Sequence, residues 1–191
     1  LDPLRSALAD AIDFEALARS SPVRLMIAAT RVSDGQPRIF SEKEISIDVL
    51  LASAALPLLR HAVTIDGEAY WDGGYAANPP LLALARETRA RDILVVQLTP
   101  ARAGDLPTSR AAIQRRVEQI HLNSTLNAEL EALRLGAARK ARDPRVHLIA
   151  AEDSFEALAD HSAIDVDMAF LEALREAGRR AADRWIKDAL N

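Results

Sequence analysis

Tyr70-Trp71-Asp72-Gly73-Gly74-Tyr75-Ala76-Ala77-Asn78-Pro79-Pro80 is the stretch on which the fold turns. Glu68 to Trp71 predicts a short strand, and Asp72 stands at its end. Gly73 and Gly74 follow at once; without a Cβ they let the loop pass through φ > 0 and let another backbone come close. Asn78 is a good N-cap and Pro79 suits the first helical position, so a helix is expected from Pro79 to about Arg89. Leu81, Leu82, Leu84 and Ala85 form its inward face. Asp72 therefore lies on a strand-to-helix loop, a common position for reactive groups on a rigid scaffold. The plainer alternative is a glycine turn carrying a solvated carboxylate.

A second Asp-Gly pair nearby sharpens the choice. Ala62 to Ile65 and Glu68 to Trp71 flank Asp66-Gly67, the strongest short signal for a hairpin. Asp66 is thus expected in a turn. No alternating strand follows Asp72; a helix pattern does. Upstream, Ser46 caps a helix whose apolar face is Ile47, Leu50, Leu51, Ala54 and Ala55. Asp48 stands in its first turn and Pro57 at its end. Ser53 lies on this helix with no flanking glycines to expose it, so a packing or hydrogen-bonding role is expected. Val23 to Thr30 is a near-continuous apolar run after Arg24. It predicts a strand covered on both faces, as in a parallel sheet. Asp34-Gly35 marks a hairpin, with Pro37 to Phe40 returning. Leu4 to Ala18 has helical spacing broken near Asp13, and Ser21-Pro22 ends it.

Downstream, Asp92 to Leu98 predicts a second buried strand and Arg145 to Ala150 a third. Thr108 to Arg142 reads as one long helix. Its stripe Ile113, Val117, Ile120 is out of phase with Leu126, Leu130, Leu133, so a shift is expected near Asn123-Ser124. Glu152 to His161 is expected as a loop or short turn. The last helix carries Phe170, Leu171, Leu174, Ala177, Ala181, Trp185 and Ile186 on one broad face. Gly178 in its middle predicts a close helix contact. Strands separated by helices, with two hairpins, give an α/β class with a sheet expected to be parallel at its centre.

The bulk properties exclude several chemistries. With 24 Lys and Arg against 28 Asp and Glu, the net charge is −4, and no nucleic-acid footprint is expected. The chain has no cysteine, hence no disulfide and no thiol nucleophile. No apolar run reaches the length of a membrane span. No P-loop or dinucleotide fingerprint occurs, and no cofactor is expected. His61, His121, His147 and His161 show no metal-ligand spacing, so structural or solvated roles are expected for them.

The ordered blocks resemble those of the patatin-like acyl hydrolases. Asp72-Gly73-Gly74 is similar to the family's D-G-[GA] motif, Ala52-Ser53-Ala54-Ala55-Leu56-Pro57 to its A-S-x-A-x-P block, and Leu25 to Thr30 to its central strand. Arg91 to Pro100 resembles the strand after the Asp helix. Ile164 to Ile186 resembles a helical extension of some proteobacterial members. The resemblance implies a three-layer α/β/α fold with a mostly parallel central sheet. It also implies a Ser-Asp dyad in which Asp72 is the base and Gly73 and Gly74 support its loop. The implied substrates are lipid acyl esters, with small acyl esters or an intracellular polyester of hydroxy acids as the alternative. Peripheral contact with a membrane or lipid granule and self-association are further expectations, and localisation stays open between the cytoplasm and the membrane periphery.

One block of the family pattern has no counterpart. None of the seven glycines brackets a serine as in G-x-S-x-G, and no glycine-rich oxyanion loop occurs. The chain starts at Leu1. Residues 1–191 are therefore expected to be the C-terminal portion of a larger hydrolase, with a helical extension over about 101–191. A non-catalytic binding module or partner scaffold of the same fold is the competing expectation.

Overall fold

The computed structural model describes residues 2–57, 59–88, 90–102, 105–136, 144–150 and 167–189. They fall into two compact units, Leu1–Arg89 with Ser124–Asp143, and Ala90–Asn123 with Pro144–Asn191. Helices and strands mix in both, as the expected α/β class requires.

In the first unit, helices α1 (Pro3–Ala11) and α2 (Phe14–Ser20) are separated where the periodicity breaks. Asp2 caps α1, and Asp13 caps α2 by accepting the amide of Ala16 at 2.8 Å; a side-chain oxygen at this position satisfies an amide that the helix itself leaves unpaired. Strands β1 (Met26–Arg31), β2 (Pro37–Ser41), β3 (Val63–Ile65) and β4 (Glu68–Asp72) make one sheet in the order β2-β1-β4-β3. Every pairing in it is antiparallel. The expected parallel surroundings of Leu25 to Thr30 are therefore corrected. Short hairpin loops join β1 to β2 and β3 to β4, and a loop too short for a crossover joins only antiparallel neighbours. Gly35 has φ 71°, while Asp66 and Gly67 have φ 53° and 83°. The latter two are the left-handed pair of a type I′ turn. Asp66 is a turn residue, as its spacing indicates.

Helix α3 (Ile47–Ser53) begins at Ser46, whose hydroxyl accepts the amide of Val49. It packs on β1, β3 and β4. Ala29, Phe40, Val49, Ala52 and Tyr70 form the buried cluster between helix and sheet. Phe40 and Tyr70 meet edge to face with ring centroids 5.9 Å apart, one of the arrangements that the ring quadrupoles favour. The Arg38 guanidinium lies 4.4 Å over the Phe40 ring and donates to Tyr70 Oη and Asp66 Oδ2, both at 3.1 Å. The cation is attracted to the ring face, and the β3–β4 turn is fastened to β2.

Helix α4 (Leu81–Glu87) starts later than expected, and Asn78 is not its cap. Asn78 and Pro79 each precede a proline, which disfavours the α region for both. The helix can begin only after Pro80. The Asn78-Pro79 peptide bond is cis. The cap comes from elsewhere: Glu129 Oε2 accepts the amide of Leu82 at 2.6 Å.

In the second unit, β5 (Asp92–Gln97) and β6 (Arg145–Ala150) form a parallel pair. The parallel element of the fold is thus this ladder, and Leu25–Thr30 and Asp92–Gln97 belong to different sheets rather than to one. Strand β5 is buried on one face only: Ile93 and Val95 are covered, whereas Leu94 and Val96 are exposed. Helix α5 (Arg110–Arg134) is continuous, and the two units divide at Asn123 and Ser124, where its apolar stripe changes phase. Ile113, Val117 and Ile120, the first of its two stripes, are exposed. Buried Asn123 accepts from Gln97 Nε2 at 2.6 Å and donates to the carbonyls of Pro100 and Gln119.

Helix α6 (Met168–Ala189) packs on β6 and buries Ala177 and Ala181, with Trp185 edge-on to His147 at 5.7 Å. Leu171 and Ile186 of its expected face are exposed. Among the described residues, a Cβ on Gly178 would meet nothing within 4 Å, so the close contact expected there is not found. The loop expected over Glu152 to His161 and the start of the extension at Ile164 lie outside the described residues. Among the described residues, no helix is long and apolar enough to cross a membrane.

Candidate active site

Asp72 is the last residue of β4, paired across from Ala29 of the adjacent strand. Three hydrogen bonds fix it. Its amide donates to the carbonyl of Ala55 at 2.9 Å, just past the end of α3. Its carbonyl accepts the Thr30 hydroxyl at 2.7 Å. Its carboxylate Oδ1 accepts the Gly74 amide at 2.7 Å, capping a single 3₁₀ turn over Gly73–Tyr75. The small residues Ala52 and Ala55 are wholly buried, which lets the end of α3 lie against the strand that carries Asp72.

Gly73 is required by close approach. A Cβ there would lie 2.2 Å from the Ala28 carbonyl oxygen and 2.6 Å from its carbon. Neither Gly73 nor Gly74 has a positive φ, so the left-handed turn expected of them does not occur. The loop crosses β1 backbone to backbone, and only glycine fits.

A cavity of about 340 Å³ opens beside the carboxylate. Met26, Ile27, Ala28, Ala77, Pro79 and Pro80 line it together with the polar residues Ser53, Asp72 and Asn78. Asp72 is half-buried, and burial pushes its carboxyl above the ordinary aspartate value, with the Gly74 amide pulling the other way. Desolvation disfavours the charged form, whereas a hydrogen bond to the carboxylate favours it. A carboxylate raised by desolvation in a cleft has the electrostatic character of a functional base. Its Oδ2 makes no hydrogen bond to a described protein group. The structure brings Asp72, at the end of β4, together with Gly73 and Gly74 at the cavity. Sequence spacing missed Ser53 as a cavity residue, because a helix position gives no sign of which side faces Asp72.

Among the described residues, no histidine lines this cavity. His147 sits on β6 with Nε2 2.9 Å from Asp92 Oδ1, and Asp92 is bound to Arg145 at 2.8 Å. The Arg145 guanidinium, then His147, holds the Asp92 carboxyl below the usual aspartate range. All three side chains reach solvent, where such pairs contribute little. His61 and His121 are exposed, and His161 lies outside the described residues.

Residues 2–85 match the family model described as patatin-like phospholipase. No curated protein matches the chain. The matched stretch holds β1 to β4, α3, the Asp72 loop and the whole lining of the cavity. Over residues 2–85 the chain is similar to the patatin-like phospholipases.

Proposed function

We propose that this chain carries the general base of a lipid acyl hydrolase. The patatin-like family acts on lipid substrates, and a hydrolase of lipid acyl esters is the general activity it implies. The finer reading is a Ser-Asp dyad with Asp72 as its base. One observation carries it: the Asp72 carboxylate stands half-buried at a cavity, one oxygen tied to Gly74 and the other without a partner among the described residues. The serine is supplied from outside residues 1–191, since no G-x-S-x-G elbow occurs in them. The oxyanion donors come with that same segment, and about 101–191 serve as an extension to the hydrolase domain.

In this mechanism the serine hydroxyl attacks the ester carbonyl and passes its proton to Asp72 directly. The hydroxyl must then lie within about 2.6–3.2 Å of Oδ2. The alcohol leaves with the proton from Asp72, and a seryl ester remains. Water attacks that ester, again with Asp72 as base, and the fatty acid departs. The turn at Gly73–Tyr75 keeps Oδ1 occupied, so only Oδ2 is presented for proton transfer.

The purified 191-residue chain is expected to release p-nitrophenol from p-nitrophenyl butyrate no faster than buffer. Joined to a segment bearing the elbow serine, it should turn over. Robust turnover by residues 1–191 alone, lost in Ser53→Ala, would place the nucleophile in this chain and overturn the division of labour.

A further inference from the structure

Ser53 is the last residue of α3 and lines the same cavity as Asp72. A serine at that position ordinarily bonds back to a carbonyl in the preceding turn of its own helix. Ser53 makes no such bond among the described residues. Asp72 Oδ2 is unbonded too. Ser53 and Asp72 thus line one space, and among the described residues no hydrogen bond joins them. A water in such a space needs two to four polar partners. The Ser53 hydroxyl and Asp72 Oδ2 supply two.

We propose that Ser53 orients the water that hydrolyses the acyl-enzyme. The inference rests on the reading of Asp72 as base. In that step the water oxygen forms a bond to the carbonyl carbon while its proton passes to Asp72 Oδ2. The bond from that carbon to the nucleophilic serine oxygen then breaks, and that oxygen takes the proton back from Asp72. The products are free acid and free serine, with no other reactant needed. Ser53 accepts or donates one hydrogen bond to the water throughout and exchanges no proton. It is a positioning residue with a role in deacylation and none in acylation.

The test is rapid mixing of the assembled hydrolase, containing both the nucleophilic serine and residues 1–191, with p-nitrophenyl butyrate. Ser53→Ala should keep the rate and amplitude of the first p-nitrophenol burst. Its steady-state rate should fall roughly ten- to a hundredfold, as loss of one orienting hydrogen bond implies. Mass spectrometry should find the acyl-enzyme accumulating. Ser53→Thr, which keeps the hydroxyl, should recover most of the steady-state rate. An unchanged steady state in Ser53→Ala would overturn the proposal. So would an equal loss of burst and steady state, which would mark a general structural role, as would a lowered melting temperature with deacylation intact. Asp72→Asn is run beside it. It should lose the burst itself, and a full burst in that variant would bring down the dyad reading rather than the role of Ser53.

Discussion

Asp72→Asn in the assembled hydrolase is expected to lower kcat about 10⁴-fold while the protein stays folded, the order of loss seen when the acid member of a catalytic serine triad is replaced. Here the effect follows from geometry. Among the described residues, Asp72 is the only carboxylate lining the cavity, and no histidine stands beside it there. Its backbone is fixed by Ala55 and Thr30. Stability should survive the change. Burial raises the folded-state value of this carboxyl. The group's stabilising contribution is then fully present below the unfolded-state pKa and lost as pH rises through the folded value. The ionised form carries that desolvation cost, so a neutral amide at this position is expected to leave the protein folded. Steady-state kinetics with circular dichroism as the folding check decides the matter. Asp66→Asn, in the hairpin turn outside the cavity, should retain activity.

Gly73→Ala should unfold or displace the site through one methyl group. Its Cβ would lie 2.2 Å from the Ala28 carbonyl oxygen, and the obstacle is the backbone of β1, which cannot rotate away as a side chain would. Overpacking of this kind typically costs about 1–3 kcal/mol, and a clash against a central strand belongs at the top of that range. Urea unfolding should show a midpoint shift of that size together with loss of activity, because relief of the clash moves the Asp72 loop. Gly178→Ala is the matched control. A methyl group on α6 would meet no described residue within 4 Å. That variant should gain up to about 1 kcal/mol from helix propensity alone. Equal tolerance of both substitutions would contradict the close-approach account.

Local chemistry made much of this chain legible. Asp66-Gly67 and Asp34-Gly35 marked their hairpins, Ser46 its cap, the break near Asp13 the division between α1 and α2, and Asp72 its place at the end of a strand. Each of these depends on residues within a few positions, where steric rules act directly. What depended on distant partners was harder to read. An apolar run such as Met26 to Ala29 fits a parallel or an antiparallel neighbour; the hairpin to β2 decides one side, and the distant β4 the other. Strand β5 reads as buried on both faces, yet Leu94 and Val96 are exposed. The delayed start of α4 was present in the Pro79-Pro80 pair, since each proline restrains the residue before it. Its cap from Glu129 could not be anticipated across that separation. The reason for Gly73 was likewise hidden, because a need for close approach appears only once β1 is in place. Ser53 shows the same limit: helix spacing assigns it a face, but what that face meets depends on where β4 ends.

The central claim is that the raised carboxyl of Asp72 activates a serine. It is tested most directly by the rate at which a fluorophosphonate labels that serine in the assembled hydrolase, measured from acid to neutral pH. Labelling needs the activated nucleophile but not deacylation, so it isolates the first proton transfer. The wild-type rate should rise with pH through an apparent pKa above the ordinary aspartate value, because Asp72 is held there by burial and must be ionised to accept the proton. Asp72→Asn should label slowly and without that rise. The same rise at the same rate in Asp72→Asn would contradict the claim.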